Sequence, residues 1–138
     1  MNVPFVVPAY AGVLALIYIF LAIRVSRIRG TAKTMIGTGG DLRLERAIRA
    51  HANCAEYVPF ALLLLGFMEM QRNSAYLLHV LCLMLIAGRI IHAINISRAN
   101  ESIPVRVVGT LLTQAVMIVA AIALIIDYFR IAPLYGAA

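Results

Sequence analysis

The sequence predicts an all-α integral membrane protein, a bundle of four transmembrane helices forming one domain over residues 1–138. Three observations carry this. The chain is 63% hydrophobic and only 13% charged, with a mean hydropathy of +0.93, which is far more apolar than a soluble domain. Four long apolar stretches are separated by short polar segments. The basic residues gather at alternate loops. Arg24, Arg27, Arg29, Lys33, Arg43, Arg46 and Arg49 surround the first loop, Arg98 and Arg106 flank the third, and Arg72 and Arg130 lie toward the other side. Basic residues at short loops mark the cytoplasmic face, so the first and third loops are expected in the cytoplasm and both termini opposite. The net charge of +6 has no aromatic-interleaved basic patch behind it and does not point to nucleic acid.

The first span is expected over residues 8–27. Pro4 and Pro8 stand at its start, where a missing N–H costs little. The stretch 3–23 is uncharged and no basic residue precedes it, so it reads as a span and not as a removed leader. Residues 30–41 form a glycine-rich loop; Thr38-Gly39-Gly40 lacks the spacing and the Lys-Ser/Thr pair of a phosphate loop. Asp41 suits the N-cap of the second span.

That second span, residues 42–69, holds the informative stretch ERAIRAHANCAEYVPF at 45–60. At about 100° per residue, Glu45, Arg49, Asn53, Glu56 and Phe60 fall on one stripe, with Arg46 and Tyr57 at its edge and His51 and Cys54 elsewhere. The apolar run 57–68 is 12 residues, about 18 Å of helix against roughly 30 Å of hydrocarbon. The polar turns must therefore enter the bilayer region, where ionisable groups mark a functional site by default. Interface anchoring by Arg46 and Arg49 is the plainer alternative, but anchoring needs neither Asn53 nor Tyr57. Pro59 is expected to kink this helix.

The short polar segment 70–74 makes the second and third spans antiparallel neighbours. The third is expected over 75–96, with His79 alone in an apolar run and Arg89 and His92 sharing a face near the cytoplasmic end. Two histidines on one helix do not make a haem site. Pro104 starts the fourth span, which reads to about 126, with Arg106 in its first turn and Thr113 and Gln114 expected to bond neighbouring helices. Cys54 and Cys82 form no CxxC and no ligand set, so both read as packing residues and no metal is expected.

The pattern E-R-x-x-R-A-x-x-N-x-x-E-Y at 45–57 resembles the MAPEG family, membrane-associated proteins in eicosanoid and glutathione metabolism. Chain length, four spans and the basic first loop resemble its short bacterial members. The resemblance implies near-parallel four-helix protomers assembled as a homotrimer, with glutathione between protomers toward the cytoplasmic side of a bacterial inner membrane. It implies that Arg49, Asn53, Glu56 and Tyr57 contact glutathione, that His51 reaches it from the neighbouring protomer, and that Arg106 acts on its thiol. It also implies glutathione contacts from Arg27, which matches an arginine at the end of the first span, and from His92. His92 and Ile96 stand where the leukotriene-forming relative has tyrosines.

The expected function is a membrane glutathione transferase, with possible peroxidase chemistry, whose thiolate attacks a lipophilic electrophile held in the lipid beside the first and fourth spans. The alternative is a non-catalytic lipid- or glutathione-binding protein. A small multidrug-type transporter ranks last, because Glu56 among arginines suits anion capture better than cation exchange.

Overall fold

The computed structural model describes residues 3–135, with side chains through 132. Four helices follow one another: α1 Val6–Thr31, α2 Leu42–Met70, α3 Ala75–Ile96 and α4 Ile103–Tyr135. Three of them, α1, α3 and α4, are long and apolar enough to cross a membrane, and the chain is an integral membrane protein. The polar turns of α2 set it apart, in keeping with its short apolar run. The extreme termini, whose side of the membrane the loop charges predict, lie outside the described residues.

Helices α2 and α3 together form the centre of the bundle. Each touches the other three helices, whereas α1 and α4 make no contact with each other among the described residues. The core runs along the shared axis: Leu14 and Leu21 of α1, Leu65 and Met68 of α2, Leu78 and Leu85 of α3, and Val116 and Ala120 of α4. Cys54 and Cys82 are free and buried among these side chains, as small packing residues.

The helix ends show how the sequence fixes the frame. Asp41 caps α2, accepting from the backbone N–H of Arg43 at 2.7 Å and of Leu44 at 3.3 Å. A side-chain hydrogen bond from Arg43 holds the Asp41 carboxyl below the usual carboxylate range. This cap is thus fully effective above the ordinary carboxyl pKa and fades as pH falls through the lower folded value.

The start of α1 is capped from another helix. Glu69 Oε1 accepts from the N–H groups of Phe5 at 2.6 Å and Val6 at 2.5 Å, and its Oε2 accepts from Val7 at 2.8 Å. Pro8 has no N–H to satisfy, so one carboxylate serves nearly the whole exposed turn. On the same side of the bundle, Tyr10 and His79 share a 2.8 Å hydrogen bond and Asn73 donates to Asp127 at 2.7 Å.

At the opposite end, Arg29 donates to the carbonyls of Thr34, Met35 and Gly37 and gathers the first loop. Arg46 donates to the Arg98 carbonyl at 2.8 Å, and Asn95 bonds both the N–H and the C=O of Ser102. These bonds tie the third loop to the start of α2.

α2 stays helical through Pro59. One expectation changes. Thr113 turns its hydroxyl to the Gly109 carbonyl of its own helix at 3.3 Å, and Gln114 is exposed. The reason is the close packing of α3 on α4. A Cβ on Gly88 would stand 2.9 Å from the Gly109 oxygen, and one on Gly109 would stand 2.8 Å from the His92 nitrogen. Backbones this near leave Thr113 no room to reach across.

Candidate functional site

Of the predicted stripe, Glu45, Arg49, Glu56 and Phe60 face outward, while Asn53 is half-buried and bonds Arg89 of α3. Glu45, Arg49, Glu56, Phe60, Leu63 and Phe67 are all exposed along one side of α2. Glu56 is the fifteenth of the helix's 29 residues, so a carboxylate stands open at mid-helix depth.

Arg49 and Arg106 come together. With Leu42, Glu45, Arg46, Ile96 and Glu101 they line a cavity of about 210 Å³ where α2, α3 and α4 meet the first and third loops' side of the bundle. The cavity thus carries three guanidinium groups against two carboxylates. Arg106 is already engaged: its Nη1 donates to Glu101 Oε1 at 3.1 Å and Oε2 at 2.9 Å. Both groups of this pair are about one-third exposed, so solvent screens it and it can be opened at modest cost.

Deeper along α2 lies a second cluster, organised by Arg89 of α3. This arginine is only 2% exposed. Its Nη1 donates to Asn53 Oδ1 at 2.5 Å and its Nη2 to the Gly109 carbonyl at 3.0 Å. Its guanidinium carbon lies 5.4 Å from the centre of the Tyr57 ring, within cation–π range. The bare backbone of Gly109 is what lets the guanidinium approach. Both oxygens that accept from it are neutral, and its Nε is buried without a partner. A buried cation held only by neutral acceptors is costly, which marks a functional demand on the position.

Of the predicted residues, Asn53 and Tyr57 thus meet through Arg89, while Arg49 and Arg106 share the outer cavity. Glu56 stands on the exposed side of α2 and lines none of the cavities described for the protomer. His51 points away from Arg49, toward α1, with its ring centre 4.6 Å from that of Tyr18 and its Nε2 buried without a partner. His92, 5% exposed, is enclosed where α3 meets Gly109. Arg27 is exposed near the end of α1.

Arg89, read from the sequence only as sharing a face with His92, and Glu101 are the participants that sequence reasoning did not assign to the site. An arginine inside an apolar span was itself a signal, but its partners belong to two other helices and no single-helix periodicity exposes them. Glu101 sits in a loop five residues before Arg106, outside helical spacing.

Residues 7–126 match the model of the MAPEG family. Over 83 residues the chain is 37% identical to the inner membrane protein YecN of Escherichia coli (strain K12), and equally to the protein of that name from strain O6:H1. The aligned part covers 60% of this chain and 63% of those relatives, less than two thirds of their length. The family match takes in all of α2 and α3 and most of α1 and α4, including the stripe and both clusters built on it. The chain belongs to the MAPEG family.

Proposed function

We propose that the protein is a membrane glutathione transferase that works as a homotrimer, stabilising the glutathione thiolate for attack on a lipophilic electrophile. The observation that carries this is the cavity shared by Arg49 and Arg106 above the Asn53–Arg89–Tyr57 cluster. Glutathione has two carboxylates, an ammonium, a thiol and two peptide groups. Arg49 offers a carboxylate a bidentate fork. Glu56 takes the ammonium, and Asn53 and Tyr57 meet the peptide, with Arg89 fixing both. Residence in a bacterial inner membrane is supported by the name of the Escherichia coli relatives.

The same face supports assembly of several copies. A mid-depth carboxylate is costly in contact with lipid, and a neighbouring copy over the α2 stripe would remove that cost. In this reading that copy also supplies Arg27 and His51, the latter turned away from this protomer's Arg49, and brings one protomer's α1 beside another's α4 to form the electrophile site.

A free thiol has a pKa of about 8.5 and is only a few per cent ionised at neutral pH. Arg106 beside it favours the anion, and a tenfold rise in the ratio of thiolate to thiol takes about 1.4 kcal/mol of such preference. The thiolate forms the carbon–sulfur bond, and the electron pair passes to the leaving group or the opened ring of the electrophile. Arg106→Ala is expected to keep most of the glutathione affinity but lose turnover at pH 7, with partial recovery at higher pH. Thiolate absorbance and conjugation rate across pH check this. An unchanged titration and rate would make Arg106 an interface anchor.

The second reading, binding without catalysis, is favoured by the Glu101–Arg106 pair, which neutralises the thiol-directed cation in the free protomer. Glu101→Gln discriminates: a transferase gains thiolate at neutral pH, whereas a binding protein shows none in either form.

Arg89 is a positioning residue in this scheme. Arg89→Met is expected to preserve helicity and weaken glutathione binding by about 1.5–3 kcal/mol, the worth of hydrogen bonds to a charged group. An apolar side chain of similar length is often tolerated in place of a buried ion. Arg89→Lys should restore only part of the affinity, since one ammonium does not reproduce the planar fork. Calorimetry with glutathione and the thermal midpoint, measured together, separate this from a structural role, in which stability falls and affinity per folded molecule does not.

A further inference from the structure

The outer face between α1 and α3 carries two contiguous cavities that the glutathione chemistry does not use. The deeper, about 370 Å³, is lined by Leu16, Ile17, Phe20 and Leu21 of α1 and by Ile90, Ala93 and Ile94 of α3. The second, about 300 Å³, shares Phe20, Leu21, Ala93 and Ile94 with it and adds Arg24, Ser97 and Arg98. Together they form an apolar groove with cations at one end only. That end is the third-loop end, which the charge distribution puts at the cytoplasmic surface.

Two details distinguish this from arginines that merely reach for the interface. Arg24 is fixed across the groove: its Nη1 donates to Ser97 Oγ, which in turn donates to the Ala93 carbonyl at 2.5 Å. That partner is neutral and takes up one of the guanidinium's five donors. Arg98 is anchored through its backbone, whose carbonyl accepts from Arg46 and whose N–H bonds the Asn95 carbonyl. Its side chain lines the mouth of the cavity. No carboxylate lines either cavity. Basic pockets between membrane helices on the cytoplasmic side favour anionic lipid headgroups, and a bare hydrocarbon groove below them fits an acyl chain.

We propose that this groove is a binding site for an anionic diacyl phospholipid, its phosphate held by Arg24 and Arg98 and one acyl chain lying along Phe20, Leu21, Ala93 and Ile94. The site stands whether or not glutathione binds, because it shares no residue with that site.

The test is native mass spectrometry of the full chain in mild detergent, titrated with chain-matched phosphatidylglycerol and phosphatidylcholine. Preferential retention of phosphatidylglycerol is expected. Losing Arg24 and Arg98 together, as Arg24→Gln with Arg98→Gln, should lower that preference by about fivefold per guanidinium. Lys33→Gln removes a charge near the same face and outside the groove, and should not change it. Ala93→Phe fills the groove and should reduce retention of both lipids, with circular dichroism confirming that the helices persist. Equal retention of the two lipids by the wild type would overturn the proposal. So would an unchanged preference in the arginine variant, or an equal loss in Lys33→Gln, which would reduce the effect to general surface charge. Efficient bismaleimide crosslinking of Ala93→Cys between two copies would also overturn it, by assigning the groove to a subunit contact.

Discussion

Arg49→Ala is expected to weaken glutathione binding by roughly 2–5 kcal/mol, the cost of removing one partner from a desolvated charge pair. Arg49 lies on the exposed side of α2 and lines the cavity beside Arg106, Glu45 and Glu101. Its loss changes the charge of that cavity as well as one contact. The two carboxylates that remain then repel an anionic tripeptide. The loss should therefore shrink at high salt, because exposed charges act through screened fields. Arg46 lines the same cavity but does not substitute for it, because its guanidinium is held to the Arg98 carbonyl. Isothermal calorimetry at two ionic strengths measures both effects. A drop of under tenfold in affinity, insensitive to salt, would show that Arg49 is an anchor at the interface and that the carboxylates bind elsewhere.

The elements were legible wherever one segment contained its own signal. The third span, 75–96, is reproduced residue for residue by α3, and Asp41 caps α2 as its position before an amphipathic run implied. The outer helices extend beyond the sequence reading for a common reason. α1 continues to Thr31 past Arg27 and Arg29, and α4 to Tyr135 past Asp127 and Arg130. Charges tell where hydrocarbon ends, and a helix has no need to end there. Asp127 in fact strengthens the extension, because Asn73 of the second loop bonds it.

The site divides along the same line. The polar stripe of α2 follows from periodicity, and the structure displays it as an exposed face interrupted at Asn53, which bonds Arg89. The Arg89 cluster and the Glu69 cap join helices that are far apart in sequence. A lone chain pattern states which side chains share a face, and not which neighbour that face meets. The conjunction of Arg89 and Gly109 is the clearest instance: one residue supplies a cation, the other only the absence of a side chain. Neither is informative until α3 and α4 are known to touch there.

Gly109→Val is expected to be the most damaging single change outside the polar residues. A Cβ at this position would lie 2.8 Å from the His92 nitrogen and 2.9 Å from the Gly88 oxygen. Both are backbone atoms, so no rotamer change relieves the overlap and the helices must separate. Separation removes the packing of α3 on α4 and draws the Gly109 carbonyl away from Arg89, leaving a buried guanidinium with one acceptor fewer. Overpacking of a tight core costs about 1–3 kcal/mol, and a lost hydrogen bond to a charged group about 1.5–3 kcal/mol. Their combination puts the expected destabilisation at roughly 3–6 kcal/mol. Gly12→Ala is the matched control, because a Cβ there meets nothing within 4 Å and alanine is the better helix former. Thermal unfolding in one detergent, followed by loss of helicity, should place Gly109→Val far below the wild type and Gly12→Ala at or above it. Failure of Gly109→Val to accumulate as folded protein, with Gly12→Ala accumulating normally, is the same result at its extreme. Equal midpoints for the two variants would mean that α3 and α4 do not approach each other at Gly88 and Gly109, and the Arg89 cluster built on that approach would fall with it.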